Sequence, residues 1–171
     1  MNGKRSPGIV TLLVYLIAVS SLAGGLSGWI HATGAFTWLT GLNAPHWTPG
    51  YTLLNLIGLF IPAFVVIALW INQRAGAGMI HWLASGFIAL FLIGLPAQIW
   101  LFFSTRDVSL GFVAALGMWV FTVFAVWVAG RSSRPAGVLM WVPFAWQSLL
   151  LILGFELMRL NTGGPLTAGI F

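Results

Sequence analysis

Trp38-Leu39-Thr40-Gly41-Leu42-Asn43-Ala44-Pro45-His46-Trp47-Thr48-Pro49-Gly50-Tyr51 lies between two long apolar runs and contains no Lys, Arg, Asp or Glu. Pro45 and Pro49 lack amide donors and fix φ, while Gly41 and Gly50 permit backbone angles that other residues avoid. The stretch therefore resists a regular helix. Trp38, Trp47 and Tyr51 bring amphipathic rings that favour the boundary between lipid and water. Such a segment reads as a loop between membrane helices. It suits either an interfacial connector or a lid over a cavity, and composition leaves both open.

The chain around it has 171 residues, 60% hydrophobic and 5% charged, with a mean hydropathy of +1.01. A soluble domain carries about 25% charged residues, so this chain must be solvated by lipid. The net charge of +5 comes from seven Lys/Arg against two acids. In a lipid-solvated chain the positions of these charges report topology, and nucleic acid is not an expected partner. The absence of Cys excludes disulfides, thiolate chemistry and Cys-ligated metals.

Apolar runs predict five spans, at about 9–30, 51–71, 79–103, 108–129 and 138–157. The expected fold is an all-α integral membrane protein, a single five-transmembrane-helix bundle covering residues 1–171. Lys4 and Arg5 followed by an apolar run and Ser21-Leu22-Ala23 also resemble a signal peptide, but apolar character continues through Trp29-Ile30 and favours a helix. Pro62, Pro96 and Pro143 fall inside spans, where neighbouring helices must compensate for the lost backbone bonds. Ser20, Gly24 and Gly28 recur every four residues and let another backbone approach; Ser85 and Ala89 offer a second such face. These faces suit association with a second copy or with a larger membrane complex. Lys4, Arg5, Arg74, Arg131 and Arg134 share one side and Arg106 and Arg159 the other, which predicts a cytoplasmic N-terminus, an outward first loop and an outside C-terminus.

Few residues carry chemistry. Asp107 is expected to cap the fourth span, and Glu156 to pair with Arg159 three residues on. No two of His31, His46 and His81 have the spacing of a helical metal site, and His46 is the one weak metal candidate. No hydrolase, kinase or nucleotide-binding set is present, so the residues do not point to an enzyme. What remains is aromatic: Trp29, Trp38, Trp47, Trp100, Phe102, Phe103, Phe144 and Trp146 can line a pocket for a flat apolar molecule or form two ordinary aromatic belts.

The first loop through Pro49, together with Gln98-Ile99-Trp100-Leu101-Phe102-Phe103, Pro143-Phe144-Ala145-Trp146 and Arg159-Leu160-Asn161, resembles the tryptophan-rich sensory proteins, also called translocator proteins or peripheral-type benzodiazepine receptors. The likeness runs from about Ile9 to Asn161. It implies a bacterial plasma-membrane receptor or translocator for a flat hydrophobic ligand, with a tetrapyrrole (porphyrin or haem) as the leading class and sterol-like lipid beside it. It implies a homodimer, with Gly24, Gly28, Ser85 and Ala89 at its interface, and requires no cofactor. The ligand-binding residues it implies are Trp38, Pro45, Trp47, Trp100, Phe103, Phe144 and Trp146. Alternatives from the same resemblance are a light-dependent porphyrin-degrading enzyme and a structural or regulatory subunit of a larger membrane complex. Leu39 stands where the family has Tyr, Gly50 replaces a loop proline, and Ala97 and Gly154 fall on polar Asn positions. Gly58 occupies the place of a second-helix Trp.

Overall fold

The computed structural model describes residues 7–162; Lys4, Arg5 and the Gly-rich tail past Thr162 lie outside the described residues. Its elements are α1 (Ile9–Ala32), α2 (Ala35–Thr40), α3 (Tyr51–Ala75), α4 (Met79–Thr105), α5 (Val108–Ser132) and α6 (Arg134–Asn161). All but α2 are long and apolar enough to cross a membrane. The protein is thus an all-α, five-helix membrane protein. With no water in hydrocarbon, each span satisfies its backbone internally, and Pro62, Pro96 and Pro143 are absorbed inside continuous helices.

Two stretches expected to be loops are helical. Residues 35–40 wind one and a half turns as α2, so Trp38, Leu39 and Thr40 belong to a helix rather than an irregular lid. The reason is local: the Pro and Gly residues of the loop begin only at Gly41, while Gly34, at φ 67°, both ends α1 and starts α2. The expected Arg131–Pro135 loop shrinks to Ser133 alone. Pro135 sits in the first turn of α6, where its missing amide would be unpaired anyway. This tight reversal brings α5 and α6 together so closely that a Cβ at Gly137 would lie 2.5 Å from the Gly130 Cα.

Asp107 caps α5 as its position predicts, accepting from the Ser109 and Leu110 amides at 2.8 and 3.1 Å. The helices pack in the ring order α1–α3–α6–α5–α4, with α3 and α4 also in contact across it. The main core lies toward the Arg74 end, where Val65, Ala68, Phe91, Ala125, Ala129 and Met140 are fully or almost fully buried. Asn72 is completely buried there. Its amide donates to the His81 carbonyl and to Ser85 Oγ, each at 2.9 Å, and its Oδ1 accepts from Ser132 Oγ. One side chain therefore ties α3 to α4 and α5. α1 differs from every other span: it buries no residue and leans mainly on α3.

Candidate functional site

Toward the α2 end the helices part around a cavity of about 250 Å³. Helical periodicity selects its walls. From α1 come Val19, Ala23, Leu26, Ser27 and Ile30, and from α3 come Tyr51, Leu54, Asn55, Gly58 and Pro62. α4 adds Leu95, Ile99, Phe102 and Phe103, and α6 adds Trp146, Leu150, Leu153 and Leu157. Phe36 and Leu39 of α2 complete the lining. The surface is overwhelmingly apolar, which is what a hydrophobic ligand site requires.

Polar contacts hold the α2 end together. Asn161 reaches from α6 to the first loop, accepting from the Asn43 amide and donating to the Asn43 carbonyl, both at 2.9 Å. The same Asn161 amide donates to the Leu157 carbonyl at 2.8 Å. Arg106, a non-glycine residue at φ 52°, donates from Nη2 to the Thr33 carbonyl at 2.9 Å and so fastens the end of α1. The expected Glu156–Arg159 pair is present at 2.6 Å on the outside of α6.

Deeper in, Gln147 is fully buried and donates from Nε2 to Oε1 of the cavity-lining Gln98 at 3.2 Å. Gly58 also lines the cavity, and a Cβ there would sit 3.5 Å from Trp146 Cζ2. The place of the absent tryptophan is therefore directly beside the tryptophan that remains.

The residues singled out from the sequence scatter. Trp146 and Phe103 line the cavity. Trp38 sits one layer away, its ring 5.3 Å from that of Phe102. Pro45, His46 and Trp47 instead border a shallow groove with Glu156, Arg159 and Leu160. Trp100 is 53% exposed and outside the lining. Phe144 packs between Trp119 and Trp141, at 5.8 and 5.2 Å. Among the described residues no group of three or more His, Cys, Asp or Glu could hold a metal ion, at His46 or elsewhere. Gly24 and Gly28 are exposed with open space beside them, whereas Ser85 is engaged within the chain by Asn72 and Ala89 is half-buried. Sequence reasoning passed over His31, Tyr51, Asn55 and Gln98 as cavity residues. The available signal was the i, i+3, i+4 spacing that joins them to apolar lining positions on the same helices.

These features define a class, a five-helix membrane protein with an apolar cavity between its helices, closed at one end by α2. The model of the TspO/MBR family matches residues 13–160, and the chain belongs to that family. No curated relative matches the sequence.

Proposed function

We propose that this protein receives or translocates a flat hydrophobic molecule through the cavity beneath α2, a tetrapyrrole being the leading class and a sterol-like lipid the next. Membership of the TspO/MBR family supports the receptor or translocator role. The observation that carries the ligand class is Trp146, 8% exposed, the one tryptophan lining the cavity among the described residues. Its indole offers a face for stacking on a flat ring. The cavity, at about 250 Å³, falls just short of the ~300 Å³ where ligand pockets usually begin. A tetrapyrrole therefore needs α1 and the loop to move outward, and α1, with no buried residue, is the helix that costs least to move. Porphyrin or haem is ligand in this reading, and no resident cofactor is required. The Arg74, Arg131 and Arg134 end supports a cytoplasmic N-terminus, and the bacterial plasma membrane is proposed from the family resemblance alone.

Titration of detergent-solubilised protein with protoporphyrin IX, followed by tryptophan quenching, tests the proposal. Saturable binding is expected, weakened about five- to tenfold by Trp146→Ala. Quenching that never saturates, or affinity untouched by that substitution, overturns it. A homodimer is the second reading, favoured by the exposed Gly24 and Gly28 on the least-packed helix. An unchanged size distribution in mild detergent after Gly24→Leu and Gly28→Leu would remove this face from consideration.

A further inference from the structure

Gln98 is out of place in this cavity. Tyr51 and Asn55 stand within the first turn or so of α3, near the α2 end. His31 is one residue from the end of α1, and all three can reach the polar layer above. Gln98 lies seven residues before the end of α4, roughly 10 Å below it at 1.5 Å per residue. Its Oε1 is occupied by Gln147 Nε2. Its own Nε2 has no hydrogen-bond partner among the described residues, although it is not sealed from the cavity. Gln147 Oε1 is buried and likewise unpaired. Two amides in apolar surroundings thus share one hydrogen bond and leave a donor turned to empty space. An unmade bond to such a group is costly at this depth.

We propose that Gln98, held in place by Gln147, selects ligands that carry a neutral oxygen, a carbonyl or a hydroxyl, at their inner end. This rests on the reading of the cavity as a ligand site, and within that reading it favours a sterol-like lipid or an oxygen-bearing tetrapyrrole over protoporphyrin IX, whose only oxygens are carboxylates. Nε2 of Gln98 donates to that oxygen. Rotating both amides by 180° keeps the Gln98–Gln147 bond and presents Oε1 instead, so a hydroxyl is matched as well as a carbonyl. The oxygen is neutral because, among the described residues, no Lys or Arg lines the cavity. The arginines of the α2 end are already committed, Arg106 to the Thr33 carbonyl and Arg159 to Glu156. A carboxylate held by one amide alone would lose its hydration without compensation. Charged substituents of a ligand therefore stay at the mouth beside His31, and the molecule enters apolar body and neutral oxygen first.

Three flat probes of one ring skeleton test this: fluorene, 9-fluorenone and fluorene-9-carboxylate at pH 8. Binding to the full chain in detergent is measured by tryptophan quenching and ligand-induced thermal shift. Each affinity is referred to the probe's concentration in protein-free micelles. The ketone is expected to bind about five- to tenfold more tightly than the hydrocarbon, and the carboxylate more weakly than the ketone. Gln98→Leu should erase the ketone's advantage while fluorene binds as before or better. Gln147→Leu, which frees Gln98 to turn away, should leave fluorene unchanged and shrink the advantage. Equal binding of ketone and hydrocarbon by the unaltered protein overturns the proposal without any variant. So does an advantage that survives Gln98→Leu, or a carboxylate that matches the ketone. Failure of all three probes to bind saturably overturns the cavity reading itself, and this selection with it.

Discussion

The two ends of α3 are built differently. From Ile61 to Asn72 it buries six side chains, and from Tyr51 to Phe60 it buries none. α4 shows the same division, with its buried residues ending at Leu95. At the Arg74 end, alanine and glycine let α3, α5 and α6 approach closely, and Asn72 then locks α3 to α4 and α5. At the α2 end the walls carry larger apolar groups around empty space, with polar clasps at the rim and the Gln98–Gln147 bond deeper in. One end therefore holds the fold while the other encloses a cavity. In lipid no hydrophobic force pulls helices together, so close approach and hydrogen bonds decide where the bundle is tight. The division should persist under mutation: changes at the closed end should alter stability and spare binding, and changes at the open end should do the reverse.

The largest effect is expected at Gly137. Any side chain there meets the Gly130 backbone, which has no flexible end to give way. Gly137→Leu should force α5 from α6 and destabilise the protein by about 3 kcal/mol, seen as a lower unfolding midpoint in detergent. Retention of the parental midpoint would show that the hairpin is not a fixed part of the closed end.

Next is Gly58, at the boundary of the two regions. A Cβ fits in ordinary contact with Trp146, but further atoms must enter the cavity. Gly58→Leu should weaken protoporphyrin IX binding at least tenfold, about 1.4 kcal/mol, with the unfolding midpoint held or raised. Binding unaffected by a filled cavity would place the ligand elsewhere.

How much of this was readable from the sequence follows the same line between regions. The five spans were readable because lipid demands long apolar runs whatever the packing. Local pairs were too: Asp107 capping its own helix and Glu156 three residues from Arg159 need no tertiary information. What depends on helix rotation was not. Phe144 stands two residues before Trp146, about 200° around the helix, and Trp100 is about 100° past Ile99. Composition counts these aromatics together, but only the packed bundle shows which of them faces the cavity. The Gln98–Gln147 and Asn43–Asn161 contacts join positions far apart in the chain, and no local pattern announces them. α2 was missed because the loop was read as one unit, although its helix-breaking residues begin only at Gly41.

A smaller effect concerns the rim. Asn161 makes two bonds to Asn43, both with the loop backbone, in an exposed setting. Asn161→Ala should loosen the loop by about 1 kcal/mol, speeding hydrogen exchange around Gly41, Asn43, His46 and Thr48 roughly fivefold. A bound ligand should slow exchange at those residues more than at the Arg74 and Arg131 turns. Equal exchange in the variant and the parent would mean that the clasp does not govern the loop.

The smallest effect is expected at Trp100, and it sharpens the comparison because the residue lies within the open region without lining the cavity. Its side chain is 53% exposed, on a helix whose neighbouring face carries Ile99 and Phe103 into the cavity. In a membrane that exposure is to lipid, where an indole contributes the same dispersion contacts that a neighbouring acyl chain supplies once it is gone. Trp100→Ala should therefore change protoporphyrin IX affinity by less than about twofold, below 0.5 kcal/mol, beside the five- to tenfold loss expected for Trp146→Ala. Both substitutions remove an indole from the α2 half of the bundle, so general loss of aromatic surface predicts similar effects. Only a ligand seated inside the cavity predicts that the two differ. Equal losses would assign binding to an aromatic belt facing the lipid.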